Sequence, residues 1–487
     1  MQMSHSDAPS EKDMQVKGDH MVTDEELAPV VSRAPTQVSQ VFSTDTVDGP
    51  DMRGVSWFGA ACLLFKVQFG LGVLGLPKTF DALGFVPGMI ILLLLCVVST
   101  WTGLFIGKFR ERHPDVHSAG DAAGVLLGRW GLELGGLGLW LYYTIGYGGT
   151  ILTFSIGMNI ITGHAICTLG WLGIGAAIAV IGGMFTRTFK LMQYMSYAAC
   201  ASIGIAVWIV AIAALAQDQP ADAPAGETIN KDIQAIKSAG FSVALSAIST
   251  QVFSLAGHAG FFSIHAEMRH QHEYRKAFLT CQAAVCANYI IIPCILYGKV
   301  GQYIASPALR SAGTLIAQIA YGIALPALVF STFFQAHFSA KYAFVRCLRG
   351  TKHLQSNTAV HWITWLAMMG LVLVVGFIIA TVVPFFGDLI SLSGALLGST
   401  FTLTLPGALM IYEKSKDYDG FKGYLAALRP GNGPLRRTIY CWAAALTFIG
   451  GLFVTVGGVY ATIDSIIQSY ANGTVGSAFS CADNSGN

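Results

Sequence analysis

The stretch Phe65-Lys66-Val67-Gln68-Phe69-Gly70-Leu71-Gly72-Val73-Leu74-Gly75-Leu76-Pro77 decides how the chain is read. It lies in the first long apolar segment, yet it does not read as a simple membrane helix. Gly70, Gly72 and Gly75 fall within six residues, Pro77 follows, and Lys66 and Gln68 stand just before. Glycine weakens a helix by about 1 kcal/mol against alanine and admits unusual backbone angles. The expectation is a membrane helix that unwinds halfway across. Lipid cannot satisfy unwound N–H and C=O groups, so such backbone must line a cavity or be buried in protein. Close helix packing through small residues is the rival reading of these glycines taken alone. A second interrupted stretch, below, weighs against it.

The 487 residues are 53% hydrophobic and 11% charged, with a mean hydropathy of +0.57. A soluble domain carries about 25% charged residues. Many apolar runs exceed the roughly 18 residues that suggest a transmembrane helix. The chain therefore reads as a polytopic membrane protein whose partner is the lipid bilayer. A net charge of +2 without a basic cluster gives no sign of nucleic acid. The 10 cysteines show no zinc-like spacing, and most lie in apolar segments as small core residues. No metal or cofactor is expected. HExxH, Walker A and GxSxG-type motifs are absent, which argues against an enzyme.

Residues 1–54 hold ten acids and four bases without apolar periodicity, and they read as a disordered tail. A membrane domain over residues 55–464 and a second tail over 465–487 complete the expected organisation. Eleven apolar spans are expected: Val55–Ala82, Phe85–Gly107, Leu134–Gly163, Leu169–Phe185, Leu191–Ala216, Phe241–His265, Ala277–Val300, Ala312–Val345, Ala359–Val383, Pro384–Tyr412 and Thr438–Asp464. With the N-terminus in the cytosol, the inner connections hold 18 Lys and Arg, and the outer ones hold 5 when Lys78 and Lys299 at the adjoining span ends are included. The positive-inside rule then sets the N-terminus inside and the C-terminus outside. Asn472-Gly473-Thr474 is a glycosylation sequon in the outer tail. Cys167 and Cys481 both fall outside in this topology and could pair there.

The second interruption, Gln251-Val252-Phe253-Ser254-Leu255-Ala256-Gly257-His258-Ala259-Gly260, lies in the sixth span. Spans one and six correspond if spans one to five and six to ten are two halves. Five spans per half make the halves inverted, with span eleven an addition. Paired glycine-interrupted segments point to a transporter substrate site at the midplane. Unwinding exposes N–H groups suited to a carboxylate and carbonyls suited to an ammonium or a cation. A site offering both suits a zwitterion, which favours an amino acid over a sugar.

Gly70-Leu71-Gly72-Val73-Leu74-Gly75-Leu76-Pro77 resembles the first-helix G-x-G-[IV]-L-x-[LI]-P signature of the amino acid/auxin permease family. Val252 to His258, followed by Ile264 and Glu267-Met268, is similar to that family's sixth-helix pattern. The resemblance covers about Val55 to Tyr460 and is closest in look to the fungal neutral and aromatic amino acid permeases. It implies an all-α, LeuT-type 5+5 inverted repeat with helices 1 and 6 broken, and usually proton coupling.

The substrate pocket is expected to be lined by Val67, Phe69, Gly70, Leu71 and Gly72 from the first break. Phe253, Ser254, Leu255, Ala256, Gly257 and His258 come from the second. Tyr143 and Tyr147 share a face of span three. The resemblance implies that a tyrosine there can hold the substrate carboxylate, and aromatic packing is the alternative. Lys66 lies near 15 Å deep at 1.5 Å per residue, where an ammonium costs at least ~2.5 kcal/mol unless it faces a cavity or a partner. The family usually has Asn near this position, and sodium-binding relatives of the fold hold their ion beside this half-helix. A fixed charge in place of sodium, bridging to Ser331 or Thr332 of span eight, is the coupling expectation; a snorkelling lysine is the alternative. His258 is a second coupling or gating candidate. Glu267, next to Arg269, reads as an interfacial charge pair or inner gate; Ser331, Thr332, Ser391 and Ser393 have bonding to the preceding turn as their alternative to a coupling role.

The expected function is secondary active transport of neutral amino acids, aromatic ones included, as proton-coupled import across the plasma membrane by alternating access. A vacuolar exporter of the same fold and a non-transporting nutrient receptor stay open as alternatives. Which amino acid is carried, and the oligomeric state, are left open.

Overall fold

The computed structural model describes residues 53–224, 229–354, 356–383, 386–415, 423, 426–429, 434–471, 479 and 481–484. Nearly all of the N-terminal tail, and Asn472 with its sequon, lie outside the described residues.

The first span is two helices, α1 (Trp57–Gln68) and α2 (Gly72–Leu83), bent by 42° at their junction. Then come α3 (Phe85–Arg112), α4 (Ala119–Thr162), α5 (Thr168–Phe185) and α6 (Phe189–Ala216). The sixth span is again two helices, α7 (Phe241–Ser254) and α8 (His258–Glu267). It is followed by α9 (Tyr274–Val300), α10 (Thr314–Leu348) and α11 (Ala359–Val382). The tenth span runs from α12 (Phe386–Ser393) through π-helical turns at Gly394–Gly398 and Thr400–Thr404 into α13 (Leu405–Ser415). α14 (Leu435–Ala471) closes the series. No strand occurs among the described residues; Val55 and Met268 form one isolated parallel bridge.

Nine helices among the described residues are long and apolar enough to cross a membrane, and the bent α1–α2 pair makes ten. The α7–α8 pair does not reach that measure, so the expected count of eleven does not follow from length and apolarity alone. The bundle is nonetheless two runs of five spans, each beginning with a broken one. Packing follows the same exchange. α1 lies against α9 and α8 against α3, so half of each broken span meets the second span of the other run. α4 and α10, the third spans of their runs, pack along each other.

The element that carries the third span starts before the expected Leu134, in two arms. Residues 119–127 form a helical stretch capped by Ser118 and Asp121 in a reciprocal pair of hydrogen bonds. The chain reverses at Gly128, with φ 60° and ψ −139°, a region that favours glycine. The two arms then lie close enough that a Cβ on Gly120 would fall 2.9 Å from Gly136 Cα.

Candidate transport site

The two breaks meet in the bundle interior. α1 stops at Gln68 and α2 starts at Gly72; α7 stops at Ser254 and α8 starts at His258. A Cβ on Gly72 would stand 2.7 Å from Ser254 Cα and 2.8 Å from Tyr289 Oη, so only glycine admits this approach. Ser254 Oγ donates to the Gly72 carbonyl at 3.2 Å. A Cβ on Gly257 would fall 2.7 Å from Gln68 Cγ. The two stretches singled out by glycine content are thus in direct contact.

The carbonyl ends are already bonded. Tyr289 of α9 donates its hydroxyl to Gln68 O at 2.8 Å and Ser254 O at 3.0 Å, the last residues of α1 and α7. Its ring stacks on Phe69. Tyr142 donates to Ala256 O at 2.7 Å. Neither α2 nor α8 carries a side-chain N-cap, so their first N–H groups are not claimed by a capping side chain.

A polar chain runs beside the breaks. Gln68 Nε2 lies 3.4 Å from Gln282 Oε1, and Gln282 Nε2 lies 3.3 Å from Ser99 Oγ. His258 Nε2 reaches Ser99 O at 3.1 Å and Thr102 Oγ1 at 2.8 Å. Gln68 Oε1 and His258 Nδ1 are buried without a hydrogen-bond partner. Lys66, in the last turn of α1, is 3% exposed, and its Nζ would be 3.6 Å from a Cβ on Gly70.

Not every expected residue gathers here. Leu71 turns toward Gly149 of α4, and Phe253 and Ala256 lie against Gly394 and Gly398 in the π-helical part of the tenth span. Tyr143 stacks on Phe338 at 4.5 Å, and Tyr147 packs on Gly376 of α11. Their hydroxyls are buried and unbonded; that of Tyr143 lies against Gly260 of the second interruption, where a Cβ would collide with it, while Tyr142 and Tyr289 bond carbonyls of the break. Ser331 and Thr332 bond their own helix, to Ala327 O at 2.6 Å and Val329 O at 2.8 Å, and the expected bridge from Lys66 to them is not formed. Ser391 bonds Ser246 and Thr462, whereas Ser393 Oγ is buried and unbonded. Val67 is half-buried.

The two ends of the bundle differ. At the end holding Val55, Glu267 and Lys341 of α10 form a buried ion pair. Glu267 also accepts from Phe189 N at 3.1 Å, and Val55 N bonds Glu267 O at 3.1 Å. The sequence pointed to Arg269 as the neighbour of Glu267; the structure supplies Lys341 instead. At the opposite end a cavity of about 560 Å³ descends to Gly75 and Thr250, with Lys78, Asp81, Asp388 and Asp464 on its walls. Cys167 and Cys481 are disulfide-bonded at that end, and Cys347 is an exposed free thiol at the other.

The model of the family described as transmembrane amino acid transporter protein matches residues 53–427. The chain belongs to that family. A protein named transmembrane transporter from Fusarium pseudograminearum is 31% identical over 94% of this chain and 93% of its own length. Another so named, from Gibberella moniliformis, is 32% identical over 92% and 91%. The N amino acid transport system protein of Neurospora crassa is 28% identical over 88% of each chain. A solved Na+-coupled sialic acid symporter covers 88% of this chain at 12% identity with a TM-score of 0.49. The family and relatives are transporters, which makes this chain a membrane transporter rather than an enzyme.

Proposed function

We propose that the protein imports neutral amino acids, aromatic ones included, with protons and without sodium. The observation that carries this reading is the contact of the two breaks at Gly72 and Ser254. Two half-helix N-termini without side-chain caps, at Gly72 and His258, suit a carboxylate. The surrounding Phe69 and Leu255 are apolar and suit an uncharged side chain. The amino acid substrate class is supported by the family and by the Neurospora relative's name.

The open cavity and the closed opposite end are consistent with an outward-facing state, given a cytosolic N-terminus. The positions of the cysteines support that orientation. The bonded pair is at the end assigned outside, and the exposed free thiol is at the other; disulfides persist in oxidising spaces. The orientation fits import across the plasma membrane. Residues 1–54 and 472–487 then flank the transport domain as a cytosolic and an outer tail, since α14 runs to Ala471 rather than ending at the expected Asp464, with Asn472 open to glycosylation.

Lys66 is the coupling residue in this scheme, acting at Gly70 in the break that follows its own helix. A fixed ammonium beside the break would repel a sodium ion at close range. Uptake is expected to be indifferent to sodium and faster at acidic outside pH. Lys66→Ala abolishes or uncouples uptake while the protein still reaches the membrane, and Lys66→Arg keeps the charge without proton release. Labelled-substrate uptake by cells expressing each variant tests this. Full pH-dependent uptake by the alanine variant moves coupling to His258, and charged amino acids competing best overturns the pocket assignment.

A further inference from the structure

Tyr289 was not among the residues the sequence singled out, and its hydroxyl has an unusual position. It is fully buried and donates to the terminal carbonyls of two half-helices, Gln68 O at 2.8 Å and Ser254 O at 3.0 Å. The C-terminal end of a helix carries about half a negative charge in its unsatisfied carbonyls. Two such ends turned toward one point in a low-dielectric interior require a positive partner. Carbonyls of unwound helices in membrane transporters ordinarily meet that need by binding a cation. Here one O–H proton, shared between the two oxygens, takes that position. The ring is held by stacking on Phe69, and the missing Cβ of Gly72 leaves room for the hydroxyl.

The geometry points to a latent monovalent-cation site between the ends of α1 and α7, with the Tyr289 hydroxyl as its built-in occupant. The hydroxyl latches the two breaks together with no ion to be gained or lost during a transport cycle. A short polar side chain that vacates the ring volume would expose Gln68 O and Ser254 O, with water in the ring's place, to a small hard cation, the oxygen chemistry such ions take.

The test uses purified full-length protein and sodium ion as the probe, with potassium and choline as controls. Because the first readout is thermal stabilisation by the ion, it does not depend on which substrate is carried or on the transport reading. Tyr289→Ser, made together with Lys66→Met to remove the ammonium that would repel the ion, should gain a saturable, sodium-specific rise in melting temperature, as any ligand of the folded state produces. The unaltered protein and Tyr289→Phe should show none, since the ring fills the site in both. A sodium response in the unaltered protein, or none in a folded serine variant, overturns the proposal. Should the serine variant fail to fold, Tyr289→Phe decides through uptake, the arm that rests on the transport reading. Removing the hydroxyl leaves two buried carbonyls without a donor and should slow uptake by about tenfold or more. Unchanged uptake by the phenylalanine variant overturns the latch.

Discussion

One end of the bundle is sealed by a buried charge and the other is open through a charged cavity. At the sealed end the side chains of Glu267 and Lys341 are 1% and 4% exposed, and the backbone of Val55 ties α1 to the end of α8. At the open end Lys78, Asp81 and Lys237 form ion pairs on the cavity wall, with side chains 13% to 42% exposed. A buried pair is costly to break because the remaining charge has no water; a solvated pair gives way readily. The difference fits a molecule whose next movement requires the buried pair to part and the open cavity to close.

Removal of Glu267 should have the largest effect. Glu267→Ala strands Lys341 and should cost about 3–5 kcal/mol, read as a lower melting temperature of the purified protein. The double variant Glu267→Ala/Lys341→Met should recover most of that loss. A melting temperature unaffected by Glu267→Ala would break the contrast between the ends.

Gly72→Ala should come next, at about 1–3 kcal/mol for a methyl forced into a filled site. Uptake should fall with it, since the added Cβ separates α2 from Ser254 and Tyr289. Wild-type uptake in this variant would mean that the contact between the breaks is incidental.

Thiol labelling sharpens the comparison without a large energetic effect. Thr250→Cys should react in intact cells with a membrane-impermeant reagent, because Thr250 lines the open cavity. Native Cys347, exposed at the sealed end, should react only after permeabilisation. The reverse order would invert the proposed orientation.

The smallest effect is expected at Lys237. The hydrogen bond it donates to Asp232 raises the lysine above its ordinary value, and Lys237 in turn holds Asp232 below the usual carboxylate range. The lysine's contribution is therefore lost only as pH rises through its raised value, and the aspartate's only as pH falls through its lowered one. Between those limits stability should be flat, and Lys237→Ala should change the melting temperature little.

Much of the fold was legible because glycine and proline interrupt apolar runs locally: both breaks fall where the sequence placed them. Topology put Cys167 and Cys481 on one side and so allowed them to pair, and the bond is formed. The partners of the breaks were not legible. Tyr289 and Tyr142 sit in aromatic-containing apolar spans, where nothing local says which neighbour a ring faces; Tyr289 is 221 residues from Gln68. Lys341 was counted neither as a loop charge nor as a site residue, because its partner Glu267 is 74 residues away. The π-helical turns of the tenth span carry no simple composition signal, and the reversal at Gly128 was one glycine among the 55 in the chain.

The most direct measurement is uptake of labelled amino acids by the purified protein in sealed proteoliposomes, with imposed gradients of protons or sodium. Uptake of neutral amino acids should rise with acid outside and show no response to sodium. Sodium-driven uptake with no effect of the pH gradient, or preference for a charged amino acid, would contradict the account.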